Sequence, residues 1–172
     1  AFGIPALRHR IAQHYTAQYG VKVDPERVVV TTGSSGGFVL SFLAAFDVGD
    51  RVALVSPGYP AYRNILTAFG IEVVEILTGP ETNFQPTPEL LAQEISQNGL
   101  FHGLIIASPS NPTGTMITPD ELKGLVMFCD ANSVRLISDE IYHGITYGKI
   151  TETAVTFHPV LIEHNTVTVQ NL

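Results

Sequence analysis

Six short runs of aliphatic and β-branched residues recur along the 172-residue chain, and a stretch long enough for a helix separates each from the next. They fall at Val28–Thr32, Arg51–Ser56, Ile71–Leu77, Gly103–Ser108, Val134–Ser138 and Thr166–Leu172. Runs this continuously apolar are expected of strands covered on both faces of a sheet. Their alternation with helices predicts βαβ units and a mainly parallel sheet, hence an α/β fold of three layers, α/β/α.

Punctuation at the helix ends agrees. Pro5 sits where a first turn would begin and Gly20 where that helix would stop. Thr87-Pro88 opens another helix and Gly99 closes it, while Gly70 follows the helix of Ala61–Phe69. Thr118-Pro119-Asp120-Glu121 has the form of a capping box: a Thr cap, a first-turn Pro and Glu three residues after the cap.

Composition narrows the function classes. A formal net charge of -7 with only nine basic residues argues against nucleic-acid binding, which needs clustered Lys and Arg. The apolar stretch around Phe38–Phe46 is too short to span a bilayer, so no membrane role is expected. With Cys129 alone, an internal disulfide is impossible, and a reducing, cytoplasmic setting fits. The six histidines show no metal-ligand spacing. Cys129 reads as a core residue with Leu122, Leu125 and Val126, and Arg8 and Arg10 read as a solvated helix face.

In a parallel sheet, ligands gather at the carboxyl ends of the strands. The first predicted exit reads Thr31-Thr32-Gly33-Ser34-Ser35-Gly36-Gly37-Phe38. Small residues let the backbone turn sharply and expose amides at a helix start, which with two hydroxyls make a phosphate seat. No Lys follows the glycines, and their spacing is not G-x-G-x-x-G, so neither a Walker loop nor a dinucleotide fingerprint is present. The segment also spells G-x-S-x-G with Ser35 in the nucleophile position of an α/β-hydrolase elbow. His143, His158 or His164 would have to serve as its base, and no HGGG-type oxyanion segment is present.

The next exits differ in chemistry. Ser56-Pro57-Gly58-Tyr59-Pro60-Ala61-Tyr62 offers an aromatic plate. Ser108-Pro109-Ser110-Asn111-Pro112-Thr113-Gly114 offers an amide in a turn whose Asn-Pro bond is a candidate cis bond. Ser138-Asp139-Glu140-Ile141-Tyr142 offers a carboxylate and a phenol after a buried strand, where a carboxylate is costly without a cation or donors. Together they describe a ligand that is planar and phosphorylated, with a protonatable ring nitrogen and a phenolic oxygen. Pyridoxal phosphate fits that description.

With these motifs the chain resembles the class I/II aminotransferases, fold-type I pyridoxal-phosphate enzymes, over essentially its whole length. Asn111-Pro112-Thr113-Gly114 followed by Asp139-Glu140-Ile141-Tyr142 is the most specific element, supported by Gly3–Arg8 and Val167–Leu172. The resemblance implies that Ser34, Ser35 and Gly36 hold the cofactor phosphate and that Tyr59 stacks on its ring. It implies that Asn111 and Tyr142 bond the phenolic oxygen and that Asp139 binds the ring nitrogen. It also implies that Ser56-Pro57 and Asn111-Pro112 are often cis, and that Arg8 matches a position often filled by Arg. A close ion pair at an effective dielectric of about 20 is worth roughly 4 kcal/mol, enough for Asp139 to keep the ring nitrogen protonated.

The same resemblance implies amino-group transfer between an amino acid and a 2-oxo acid, and a homodimer when full length. The expectation is that residues 1–172 form part of the large, cofactor-binding domain. The N-terminal segment, the Schiff-base lysine, expected just after Leu172, and the C-terminal small domain then lie outside. Lys22, Lys123 and Lys149 match none of the lysine's positions. A lyase or decarboxylase of the same fold, the Ser35 hydrolase and a non-catalytic binding domain are the other readings.

Overall fold

A computed structural model describes residues 2–157 and the backbone of Thr166–Val169. Its sheet has five parallel strands, β1 (Arg51–Ser56), β2 (Glu72–Leu77), β3 (Gly103–Ala107), β4 (Arg135–Asp139) and β5 (Thr166–Val169), in the order β2-β1-β3-β4-β5. The helices are α1 (Pro5–Tyr19), α2 (Ser34–Ala45), α3 (Pro60–Ala68), α4 (Pro88–Asn98) and α5 (Pro119–Ala131).

Alternate strand residues feed two cores. Ala53, Leu104, Ile106 and Leu136 pack with Leu91, Leu125 and Cys129 from α4 and α5. Val52, Leu54, Ile105 and Ile137 pack with Phe38, Phe42 and Leu66 from α2 and α3. The expected three layers follow from this period-2 division between two helical layers. Edge strand β2 is fully covered on one face and only partly on the other, so it alternates: Val74 and Ile76 are buried, Val73 is half-buried against the second core, and Glu75 and Leu77 are exposed. In α5, Leu122, Leu125, Val126 and Cys129 recur at i, i+3, i+4 and i+7, one helical stripe facing the sheet.

Local end signals act as their chemistry requires. Thr118 and Glu121 form the reciprocal capping box, and the Thr87 hydroxyl accepts from Leu90 N. Gly20 closes α1 at φ 72°, in the left-handed region where glycine meets no Cβ penalty.

Two sequence expectations fail. Val28–Thr32 is extended chain outside the sheet, its Val30 amide bonded to the Phe2 carbonyl. A β-branched run records extended preference; ladder membership needs a partner strand. Arg8 is buried: its Nε donates to the Val28 carbonyl at 2.8 Å and its guanidinium meets Glu26 at 3.3 Å. The helix pattern cannot show that Val28–Thr32 folds back to cover that face. Gln170–Leu172 lie outside the described residues.

Candidate functional site

Strand order reverses between β1 and β3, since β2 lies beyond β1 and β4 beyond β3. α3 packs on one face and α4 and α5 on the other, so the connections diverge at that point and leave a crevice. A cavity of about 110 Å³ occupies it, lined among others by Ser34, Tyr59, Tyr62, Asn111, Asp139 and Tyr142.

The start of α2 forms one wall. Gly33 precedes it at φ 86°, ψ 168°, a conformation essentially reserved for glycine, which turns the extended chain abruptly into the helix. No side chain among the described residues caps this end, and its first turn holds no acidic residue, so among them its amides and positive end are open. Ser34 lines the cavity; exposed Ser35 and half-buried Gly36 do not. Successive helical residues rotate by about 100°, so neighbours cannot share one direction.

Asp139 ends β4 and is 5% exposed. Its Oδ2 accepts from the Tyr62 hydroxyl at 2.6 Å and its Oδ1 from the Ile141 amide at 3.1 Å. Burial pushes its carboxyl above the ordinary range, and these two donors pull the other way. Burial, followed by the charge of Asp139, pushes the Tyr62 hydroxyl up, so it remains a donor. Tyr62 was not singled out from sequence. Its signal was present: three residues after Tyr59 and four before buried Leu66, it lies on the inward stripe of α3.

Asn111 and Tyr142 reach the cavity from the β3 and β4 exits, and neither side chain has a hydrogen-bond partner among the described residues. Ser56-Pro57, Ser108-Pro109 and Asn111-Pro112 are all cis. Asn111 and Tyr142 also border a wider hollow of about 520 Å³ that includes Tyr147 and Lys149. Behind the wall, His143 meets Tyr19, Ser108 and Glu140, a setting that its sequence context did not distinguish.

Ser35 has no histidine partner among the described residues, and both ring nitrogens of His143 are engaged elsewhere. His158 and His164 lie outside the described residues. No group of three or more His, Cys, Asp or Glu that could hold a metal occurs among the described residues. No helix there is long and apolar enough to cross a membrane.

Residues 1–171 match the family model described as aminotransferase class I and II. The chain belongs to this family. The valine–pyruvate aminotransferase of Mycobacterium tuberculosis is 58% identical over 90% of this chain and 39% of its own length. The aspartate/prephenate aminotransferase of Thermus thermophilus is 34% identical over 84% of this chain and 37% of its own. The crystal structure of an aminotransferase from M. tuberculosis superposes with a TM-score of 0.92 at 52% identity, covering 99% of this chain and 42% of that one. This aminotransferase-family chain therefore spans about two fifths of the length of such relatives. Family membership removes the hydrolase reading of Ser35.

Proposed function

We propose that this chain is the cofactor-binding part of a pyridoxal-phosphate-dependent aminotransferase that moves an amino group between an amino acid and a 2-oxo acid. The carrying observation is Asp139, a buried carboxylate facing a cavity with two neutral donors and no cation bonded to it among the described residues. A buried carboxylate is expensive without a cation, and a protonated ring nitrogen supplies one.

The other donors fit the rest of the cofactor. The open amides of α2, including those of Ser35 and Gly36, with the hydroxyl of Ser34, would hold the phosphate. The Tyr59 ring would lie against the pyridine ring, and the Asn111 amide and Tyr142 hydroxyl, without hydrogen bonds among the described residues, would hold the phenolic oxygen. Tyr62 would fix the Asp139 carboxylate so that it faces the ring nitrogen. When bound, the protonated ring draws off the electron pair released at the substrate's α-carbon. The protein's part is to keep that ring charged, oriented and shielded from water.

The relative's name makes valine and pyruvate the first pair to assay. The chain's share of its relatives' length supports reading it as part of a large domain, with the cofactor-linking lysine and a small domain elsewhere in the polypeptide. Exposed Leu40, Leu43, Ile145 and Ile150 support a covered surface, as in a homodimer. The single, buried cysteine suits a cytoplasmic enzyme.

The test is Asp139→Asn in the complete polypeptide. Pyridoxal phosphate affinity, measured by titration, should fall roughly a hundredfold or more. Unchanged affinity in a variant with an unchanged melting temperature would overturn the reading.

A further inference from the structure

We propose that His143 is a positioning residue: it braces the β3 and β4 exits against each other, so that Asn111 and Tyr142 converge on one ligand oxygen. This rests on the cofactor reading above and assigns a role to a residue outside the cavity wall.

The side chains of Asn111 and Tyr142 have no hydrogen bonds among the described residues, so their backbones must set their aim. The β3–β4 ladder ends at Ala107 and Asp139, and one more rung follows, from Ser108 N to the Asp139 carbonyl at 3.2 Å. Past that rung, a single hydrogen bond among the described residues joins the two exits. It runs between His143 Nε2 and the Ser108 carbonyl at 3.0 Å. His143 directly follows Tyr142, and Ser108 lies three residues before Asn111.

The ring is held at both nitrogens. A nitrogen facing a carbonyl must carry the hydrogen, so Nε2 donates and Nδ1 accepts. The Tyr19 hydroxyl, from the last residue of α1, meets Nδ1 at 2.7 Å. The His143 amide donates to the Glu140 carbonyl at 2.9 Å, closing a tight turn. Glu140 Oε1 in turn accepts from Ser138 Oγ, Thr153 Oγ1 and Ala154 N at 3.0, 3.1 and 3.0 Å. Glu140 Oε2 stands 3.7 Å from Nδ1 and has no hydrogen bond among the described residues. The His143 side chain is only 5% exposed, and burial holds its pKa below the ordinary value, in keeping with the neutral tautomer that this geometry requires.

The prediction is specific to ligands carrying a phenolic oxygen. The probes are pyridoxamine phosphate, which forms no covalent bond with a lysine, and its 3-deoxy analogue, titrated into the complete polypeptide. The wild type should prefer pyridoxamine phosphate by roughly tenfold or more. His143→Phe should erase most of that preference while leaving affinity for the 3-deoxy analogue within about twofold. His143→Gln, whose amide can donate to the Ser108 carbonyl, should restore much of it. Should His143→Phe fail to fold, Tyr19→Phe keeps the ring packing, removes the bond to Nδ1 and should show a partial loss. A preference equal in wild type and variants, or an equal weakening of both ligands, overturns the positioning role. A wild type that shows no preference refutes the roles given to Asn111 and Tyr142, and the brace falls with them.

Discussion

The Tyr62 hydroxyl donates to Asp139 Oδ2 at 2.6 Å, joining the first turn of α3 to the end of β4 beneath the cavity. Tyr62 is also clamped edge-on by Phe38 and Tyr59, with ring centroids 5.0 and 5.5 Å away. The bond therefore has a fixed direction and opposes the upward push of burial on the Asp139 carboxyl.

Tyr62→Phe keeps that packing and deletes one donor. Asp139 should then be harder to ionise, and pyridoxal phosphate affinity should fall by roughly fivefold to twentyfold, more at lower pH. Titrations at two pH values check this. An affinity equal to wild type at both would show that Tyr62 does not tune the carboxylate.

Glu140 predicts a pH dependence of stability. Burial, opposed by its hydrogen bonds, pushes its carboxyl from an ordinary 4.5 to about 7. The folded protein thus keeps a proton that the unfolded chain releases. The resulting stabilisation is full below the unfolded value and is lost as pH rises through the folded one. Glu140→Gln is neutral throughout, so its melting temperature should gain on wild type by several degrees between about pH 5 and pH 8. Parallel melting curves for the two proteins over that range would contradict this.

Gly103 opens β3 where a Cβ would collide with the Phe46 ring. Phe46 is buried among Phe42, Val52 and Leu66 and has little room to withdraw. Gly103→Ala should cost about 1–3 kcal/mol in denaturant unfolding. A loss below about 0.5 kcal/mol would mean that this packing yields.

Cys129 is fully buried on α5, and burial pushes its thiol up to about 12. A thiol-specific disulfide reagent should label it only as fast as the protein unfolds, and at once in denaturant. Rapid labelling of the native protein would place the thiol at an opening surface.

The helix ends were legible because their determinants are neighbours in the chain. Pro5 with Gly20, Thr87 with Gly99, and Thr118 with Glu121 each act within a few residues of a helix terminus. Strands Arg51–Ser56, Gly103–Ala107 and Arg135–Asp139 were legible because burial on both faces leaves a continuous apolar run. The chemistry of the exits was legible too, since Tyr59, Asn111, Asp139 and Tyr142 each follow such a strand in turns of distinctive composition.

Other features depended on segments far apart in sequence. Val28–Thr32 reads as a strand, yet only a partner ladder makes one, and the sheet begins at Arg51. Arg8 reads as a surface residue until the Val28 carbonyl and Glu26 close over it. Tyr62 meets Asp139 across 77 positions, and His143 meets Tyr19 across 124. By itself the sequence determined which segments become helices and core strands and which side chains stand at the strand exits, because capping and apolar periodicity are local. Only the tertiary structure decided which side chains hold the cavity's carboxylate and brace its walls, because the order of strands in the sheet brings those groups together.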